Sequence, residues 1–471
     1  MKQIRGAPDN RRNRRFFGKT AVDGSWSARK LVDESTFPYT CPMLAAQDLK
    51  GFALLSLVGA VCAAAVSSAG ADEPTPFILK NAAPAAHSLS PVPDAAIEPL
   101  AVPRALEGFD PANRELEGDH FVAGMPGGRR AVLTLDPGLQ DHVESLFRRY
   151  EVPYGSVVAL NPSTGRVLAY VSHSSANPDA GDLALDPTPP TASVFKIVTA
   201  AALVDAGVDV DEEVCYRGGG SRLRARHLED DPGAPNCATL GEALGGSINA
   251  VFARLADRHL SVPLLTRYAS AFGFGHRLPF DVTMSPSPAE VPSDRLERAR
   301  TAAGFWHMHM SPMHGALIAA TIANDGQMPR PALVERVDDV AGEVFYEHEP
   351  SIHRAVITRR TARAVGTMME RTVSRGTGRR SFHDERGNPF LPDIRVAGKT
   401  GSLSAERPYR GYTWFVGYAP ADNPTIALAA LVVNTPRWRI KAAYVAREAL
   451  RYHLIEAPRE RAQAERASAT E

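Results

Sequence analysis

Three short segments of this 471-residue chain carry residues that together could perform nucleophilic acyl transfer. Ser193 and Lys196 stand three residues apart at the start of the apolar segment SVFKIVTAAALVDAG. A spacing of three brings two side chains together on one face of a helix. A serine hydroxyl becomes an effective nucleophile only when a nearby base removes its proton. A lysine whose pKa is lowered by burial and by a second cation could be that base.

The second segment is SIN, at residues 247–249, which directly follows two glycines. Gly245 and Gly246 are expected to end one helix, and a break there could project Ser247 and Asn249 into a cleft. A serine hydroxyl in such a place could relay a proton to a leaving amine. The amide of Asn249 could hold Lys196 or bond to a substrate amide.

The third segment is KTGS, at residues 399–402, in a region that is typical of a strand. Lys399 could attract a substrate carboxylate and lower the pKa of the candidate base, and Thr400 could hydrogen-bond to the same carboxylate. Gly401 would leave room for substrate backbone beside the strand. The backbone N–H groups of Ser402 and Ser193 could form an oxyanion hole.

Each segment taken alone is weak support, since two of the patterns recur elsewhere in the chain. SARK at Ser27 repeats the serine–lysine spacing, and SAN at Ser175 repeats the serine–asparagine spacing. Neither of these repeats opens an apolar helix or follows a helix break. The hypothesis therefore depends on the order, context and spacing of the three segments.

The surrounding elements predict an α+β fold. RRAVLTLDPGLQDHVESLFRRY reads as a strand and a helix, and GSVVALNPSTGRVLAYVS reads as two strands around a turn. Residues 190–330 are predicted to be mainly helical, residues 395–434 return to strands, and residues 442–454 form a closing helix. Such an order of elements is typical of the α+β class.

At this point the chain resembles the transpeptidase domain of penicillin-binding proteins, whose motifs are S-x-x-K, S-x-N and K-[ST]-G. The segments SPMHGALIAATIANDG, GTGRR before VAGKTG, and TWFVGYAPADNP strengthen the resemblance, which spans residues 129–457. It implies a five-stranded antiparallel sheet flanked by helices, beside an all-helical subdomain. One departure is Thr191-Ala192 before the serine, where the family often has Pro-Gly.

The resemblance also implies a role for each candidate residue. The implied nucleophile is Ser193, the base is Lys196, the proton relay involves Ser247 and Asn249, the carboxylate site is Lys399 with Thr400, and the oxyanion hole uses Ser193 and Ser402. The implied reaction is attack on the D-Ala-D-Ala bond of a peptidoglycan stem peptide, followed by transfer of the acyl group to an amine. β-Lactam antibiotics would be covalent inhibitors, and other components of the cell-wall synthesis machinery would be possible partners.

Three alternatives stay open from the sequence. A D,D-carboxypeptidase would use water in place of the acceptor amine, and no short motif separates the two activities. A β-lactamase is less favoured because no segment resembles E-x-x-L-N. A β-lactam sensor is less favoured because only one apolar segment could cross a membrane.

The N-terminal region indicates export. Residues 1–50 form a basic leader with ten Lys or Arg against five Asp or Glu, and Met43 is an alternative start. An uncharged run follows, so residues 51–71 are predicted to be a cleaved signal peptide or a retained membrane anchor. The enzyme would then lie in the periplasm or another extracytoplasmic space, either released or anchored.

Two further segments flank the predicted domain. Residues 72–128 are rich in Ala and Pro and show no sustained periodicity, which predicts a tether. Residues 458–471 form a charged tail that we expect to fray.

Composition narrows the remaining choices. The formal net charge is zero, which argues against a nucleic-acid partner. The sequence has no Cys-x-x-Cys pair or His/Cys cluster, so no metal and no other cofactor is expected. In an exported protein, Cys215 and Cys237 are predicted to form a disulfide.

Overall fold

The computed structural model describes residues 102–220 and 222–468. The strands of this part are β1 (Arg114–Glu117), β2 (His120–Gly124), β3 (Arg130–Leu133), β4 (Tyr154–Leu160), β5 (Val167–His173), β6 (Val214–Tyr216), β7 (Asn236–Ala238), β8 (Gln327–Pro329), β9 (Val334–Asp338), β10 (Val344–Glu347), β11 (Ile352–Ala355), β12 (Ala397–Glu406), β13 (Tyr409–Ala419) and β14 (Ile426–Asn434).

The α-helices of the same residues are α1 (Pro137–Arg149), α2 (Lys196–Asp205), α3 (Leu240–Gly246), α4 (Asn249–His259), α5 (Val262–Ala271), α6 (Arg295–Ala302), α7 (Pro312–Ala323), α8 (Arg359–Ser374), α9 (Arg379–Phe382), α10 (Ala442–Arg451) and α11 (Ala457–Ser468). None of the helices in the described residues is long and apolar enough to cross a bilayer. The predicted signal or anchor at residues 51–71 lies outside them.

The central sheet has five antiparallel strands in the order β12-β13-β14-β4-β5, so the predicted α+β class and its antiparallel sheet are confirmed. Every residue of β14 is buried, as expected for a middle strand that is covered on both faces. Alternate side chains serve the two faces. Ala429 and Leu431 join the core beside α7, whereas Leu428 and Ala430 join the core beside α1 and α10.

Helix α7 is the central helix of the fold. Ser311 caps its N-terminus by accepting a hydrogen bond from the His314 N–H, and Pro312 occupies its first turn. Its residues are buried from Pro312 to Ile322, so the helix is apolar on all sides. Gly315 allows the helix to approach the sheet closely, because a Cβ there would lie 2.9 Å from the Cβ of Ala429.

A second sheet, which the sequence did not predict, has the order β1-β2-β3-β9-β10. Its first strands fall in residues 102–128, so the expected tether is wrong for that part of 72–128. Leu106 and Phe109 in the same stretch are buried in the main core. A signal was available, because Gly118-Asp119 is a two-residue turn that joins β1 to β2, with Gly118 at φ 62°.

Two other expectations need correction. The middle of the chain is mainly helical, but it is not an all-helical subdomain, because β6 and β7 pair in a short ribbon. The expected fraying of the charged tail is also wrong up to Ser468, since α11 continues the closing helix. Arg461 in α11 contacts Asp136 at 3.1 Å, which ties this helix to the start of α1.

Candidate active site

Ser193 lies in a single 3-10 turn, Ala192–Phe195, that leads directly into α2. The predicted helix therefore becomes α-helical one turn later than the motif begins. Ser193 is partly exposed, whereas Lys196 is fully buried. Val194 and Phe195 are also buried. These two apolar side chains anchor the turn in the core, while the Ser193 side chain stays accessible.

The backbone at Ala192 adopts a left-handed conformation with φ 48°. This region is unfavourable for a residue with a Cβ, by about 1–2 kcal/mol, so surrounding contacts must hold the turn. Gly304 provides one such contact, because a Cβ at that position would lie 2.4 Å from the Ala192 carbonyl oxygen. The turn thus fits against the backbone that follows α6.

The central sheet holds the same turn from the other side. The buried Trp414 of β13 donates an indole hydrogen bond of 2.9 Å to the Pro190 carbonyl oxygen, two residues before the turn. A Cβ at Gly401 would lie 3.2 Å from the Thr191 carbonyl oxygen and from the Cβ of Ala192. Gly401 therefore makes room for the serine turn.

The side-chain amine of Lys196 contacts three acceptors. Its Nζ lies 3.0 Å from Ser193 Oγ and 2.6 Å from Asn249 Oδ1, and it also contacts the carbonyl oxygen of Ala303. Burial lowers the pKa of Lys196 well below 10.5, and the positive charge of Lys399 lowers it further. The first two motifs are thus joined through one lysine.

The second lysine joins the other pair of motifs. Lys399 Nζ lies 3.0 Å from Ser247 Oγ and 2.8 Å from the carbonyl oxygen of Thr400. Burial lowers the pKa of Lys399 to about 7. Ser247 has a left-handed φ of 55° directly after α3, so the helix ends here, as Gly245 and Gly246 predicted. The Ser247 hydroxyl therefore contacts Lys399.

Thr377 is a site residue that motif analysis missed. Its Oγ1 hydrogen-bonds to Thr400 Oγ1, and its backbone N–H donates to the Gly245 carbonyl at 3.1 Å. A Cβ at Gly376 would lie 2.0 Å from that same carbonyl oxygen. The segment GTG therefore packs between α3 and β12, and its nearness to KTG in sequence was the available signal.

Cys215 and Cys237 form a disulfide across the β6–β7 ribbon. The loop that this disulfide closes reaches the site, because Asn249 Nδ2 donates to the carbonyl oxygen of Gly220. That contact also orients the amide. Since the Gly220 carbonyl only accepts, the Oδ1 atom of Asn249 must face Lys196.

Across the described residues, no three His, Cys, Asp or Glu side chains are grouped to hold a metal ion. His314 is fully buried in α7, and both of its ring nitrogens are engaged. They lie 2.7 Å from Ser287 Oγ and 2.8 Å from the Phe272 carbonyl oxygen. Burial lowers the pKa of His314 to about 4, so this side chain is a neutral structural element.

Comparison with known proteins agrees with this geometry. Residues 155–451, more than half of the chain, match the family model of the penicillin binding protein transpeptidase domain. The peptidoglycan D,D-transpeptidase PbpA of Mycobacterium tuberculosis (strain ATCC 25618 / H37Rv) is 28% identical over 365 residues, covering 67% of this chain and 70% of that protein. Stage V sporulation protein D of Bacillus subtilis (strain 168) is 28% identical over 332 residues, covering 64% of this chain and 49% of that protein.

Solved structures share the fold. The crystal structure of PBPA from Mycobacterium tuberculosis superposes with a TM-score of 0.57 at 24% identity, covering 69% of this chain and 81% of that one. Penicillin-binding protein A from M. tuberculosis as a penicillin G acyl-enzyme complex gives a TM-score of 0.56 at 24% identity, covering 70% and 82%.

Proposed function

The chain belongs to the penicillin-binding protein transpeptidase family, and we propose that it is a peptidoglycan D,D-transpeptidase that acts through Ser193. The observation that carries the proposal is the distance of 3.0 Å between Ser193 Oγ and the buried amine of Lys196. The names of relatives such as PbpA support the reaction class. The roles of the other motif residues are inferred from their hydrogen-bond contacts.

The hydrogen bonds of Lys196 suit it to act as the base. When its amine is neutral it has two N–H donors and one lone pair. Asn249 Oδ1 and the Ala303 carbonyl can only accept, so they take the two donors. The lone pair is then left for the third neighbour, the hydroxyl of Ser193. The lowered pKa of Lys196 favours this neutral form.

Acylation follows from that arrangement. Lys196 takes the hydroxyl proton as Ser193 Oγ attacks the carbonyl carbon of the penultimate D-Ala. The N–H groups of Ser193 and Ser402 stabilise the oxyanion that forms. The C–N bond then breaks, the departing D-Ala amine receives a proton through Ser247 and the lysines, and an ester on Ser193 remains. Lys399 and Thr400 hold the terminal carboxylate.

The second half of the reaction transfers the acyl group. An amine of a neighbouring stem peptide loses a proton to Lys196 and attacks the ester carbonyl, and Ser193 leaves with its proton restored. Water in the place of that amine would give a D,D-carboxypeptidase, which is the second candidate activity. A β-lactam would acylate Ser193 in the same way as the donor peptide does.

The substrate sets the location of the enzyme. Peptidoglycan cross-linking takes place outside the cytoplasm, where the Cys215–Cys237 disulfide is also stable. We therefore propose an extracytoplasmic domain that is either released or held at the membrane by residues 51–71. Cell-wall synthesis proteins would be its partners there.

Labelling with a fluorescent penicillin tests the nucleophile. We expect the wild type to be labelled and Ser193→Ala to lose the label. Ser175→Ala is the matched control, because Ser175 stands in the other S-x-N pattern and its hydroxyl bonds only to the Val152 carbonyl at 2.9 Å. Equal labelling of wild type and Ser193→Ala would overturn the proposal.

Product analysis separates transfer from hydrolysis. A peptide ending in D-Ala-D-Ala would be incubated with and without an amine acceptor, and the products resolved by mass. Transpeptidation predicts a cross-linked product and release of one D-Ala. A hydrolysed product alone, at every acceptor concentration, would assign the enzyme as a carboxypeptidase.

A further inference from the structure

A cavity of about 620 Å³ is lined by the disulfide-closed loop and by Arg254 of α4. None of the motif side chains lines this cavity. Its walls carry five arginines, namely Arg217, Arg222, Arg224, Arg226 and Arg254, and three acidic residues, namely Glu229, Asp230 and Asp231. Positive side chains therefore outnumber negative ones around the space.

The three acidic residues of the cavity are already paired. Glu229 contacts Arg295 at 2.9 Å, Asp231 contacts Arg217 at 2.9 Å, and Asp230 contacts Arg258. These pairs neutralise the acidic residues without using the arginines of the stretch 222–226.

Arg222, Arg224 and Arg226 have no acidic partner within ion-pair distance among the described residues, and all three are exposed. The buried Leu223 anchors the stretch that carries them. The positive charges also affect the neighbouring His227. Burial lowers the pKa of this side chain, and the charges of Arg226 and Arg224 lower it further. The cavity thus presents uncompensated guanidinium groups to solvent.

The cavity continues toward a second one of about 300 Å³. Arg222 and Arg224 line both spaces, and the second also includes Trp306, whose surface is 43% exposed. An aromatic face beside guanidinium groups suits a peptide that has both apolar and acidic side chains.

The loop is joined to the site of acyl transfer through its backbone. Gly220, in the wall of the larger cavity, accepts the hydrogen bond from Asn249 that orients this amide toward Lys196. A Cβ at Gly219 would lie 2.9 Å from the Cβ of Ala250, so the loop packs directly on α4. The arginines therefore belong to a loop that directly contacts the site of acyl transfer.

We propose that Arg222, Arg224 and Arg226 bind side-chain or main-chain carboxylates of an acidic peptide substrate, at a distance from the bond that reacts. The inference rests on the proposed function and names the chemistry of one part of its substrate. A guanidinium group can bind a carboxylate through two parallel hydrogen bonds, which gives direction as well as attraction. The subsite favours acidic peptides over their amidated counterparts.

The test uses peptides that end in D-Ala-D-Ala and carry either glutamate or glutamine upstream, each as donor or as acceptor. We expect the wild type to have a KM about tenfold lower for the glutamate peptide, which corresponds to about 1.4 kcal/mol. The triple variant R222Q/R224Q/R226Q should lose this preference while kcat changes little. Comparing the donor and acceptor experiments shows whether the donor peptide or the acceptor peptide occupies the cavity.

Three controls keep the outcome interpretable. Arg386→Gln changes an exposed arginine outside both cavities and should keep the preference. Raising ionic strength should weaken the preference in the wild type but not alter the triple variant, since exposed charges are screened by salt. Each single variant should show part of the loss.

Penicillin labelling separates this inference from the proposed function. If the triple variant is labelled by penicillin at the wild-type rate and loses only the preference for glutamate, both stand. If labelling is intact and the wild type does not distinguish glutamate from glutamine in either arm, the arginine subsite is refuted while the nucleophile stands. If the wild type is not labelled, the proposed function itself fails.

Discussion

Lys196 and Lys399 are both fully buried, and the positive charge of Lys399 lowers the pKa of Lys196. Two lysines that share a cleft cannot both be charged at low cost, because burial already disfavours each ammonium. Their hydrogen bonds separate their roles. Lys196 faces Ser193, whereas Lys399 faces Ser247 and the Thr400 carbonyl. We infer that Lys399 carries the charge and Lys196 is the neutral base.

This relationship predicts the pH dependence of acylation. The rate should rise with pH through the lowered pKa of Lys196, because only the neutral amine accepts the serine proton. For a donor with a terminal carboxylate, kcat/KM should fall again above about pH 7, where Lys399 loses its proton. Stopped-flow acylation across pH would give both limbs.

Lys399→Met tests the charge itself. Removing the cation should raise the pKa of Lys196, so the rising limb should move to higher pH and the falling limb should disappear. Lys441→Met is the control, since Lys441 lies over the Trp438 ring at 5.7 Å and is exposed. A profile of Lys399→Met that overlays the wild type would contradict the assigned roles.

The motifs predicted from sequence are the parts of the site that carry chemistry. The helix that follows Ser193, the break before Ser247 and the strand through Lys399 each had a local signal in the form of apolar periodicity, paired glycines or a β-rich run. These signals act over a few residues, and the structure bears out the elements that they predicted.

The contacts between the motifs could not be predicted in this way. Gly304 contacts the serine turn and Trp414 contacts Pro190 just before it, both from elements that are distant in sequence, and nothing local distinguishes them from other core residues. The pairing of Ser247 with Lys399 depends on the left-handed backbone at Ser247. The second sheet was missed because its first strands are short and lack alternation, and only the Gly118 turn marked it.

Gly304→Ala should slow acylation strongly while it lowers the free energy of unfolding only moderately. The added methyl group would meet the Ala192 carbonyl, and the φ of 81° at Gly304 is itself strained for alanine. We expect acylation by penicillin to slow by about 100-fold, as for a reacting group displaced by about 1 Å. Overpacking should lower the free energy of unfolding by about 1–3 kcal/mol.

Gly207→Ala provides the matched control for that variant. Gly207 has nearly the same φ, 82°, but a Cβ there would meet nothing within 4 Å. It should lose about 1–2 kcal/mol of stability from backbone strain alone and keep its acylation rate. Equal acylation rates in the two variants would show that Gly304 has no special relation to the serine turn.

Thr377→Val tests the link between GTG and the KTG strand. The variant keeps its shape and its backbone hydrogen bond to Gly245, but it loses the hydroxyl that contacts Thr400 Oγ1 and, at 3.4 Å, the Gly245 carbonyl oxygen. We expect KM for a carboxylate-terminated donor to rise about fivefold, the equivalent of one hydrogen bond of about 1 kcal/mol. Steady-state kinetics would measure the change.

Two further variants show whether the Thr377 hydroxyl positions Thr400. Thr377→Ser should restore KM, because it restores the hydroxyl. Thr367→Val removes an exposed hydroxyl that bonds only within α8, to the Arg363 carbonyl at 3.0 Å, and should leave KM unchanged. If Thr377→Ser behaves like Thr377→Val, the effect comes from packing and the proposed role is wrong.

The double variant C215A/C237A should weaken both stability and acylation. The disulfide joins residues that are 22 apart, and closing such a loop contributes about 3 kcal/mol in the chain-entropy account. The same loop carries Gly220, whose carbonyl orients Asn249 toward Lys196. We therefore expect a lower melting temperature together with slower labelling by penicillin, measured below the melting temperature of the variant. A reductant that opens the disulfide should slow the labelling of the wild type by penicillin. It should not slow the labelling of the double variant any further, since that variant has no disulfide to open. A double variant with wild-type acylation would show that Asn249 keeps its orientation without the closed loop.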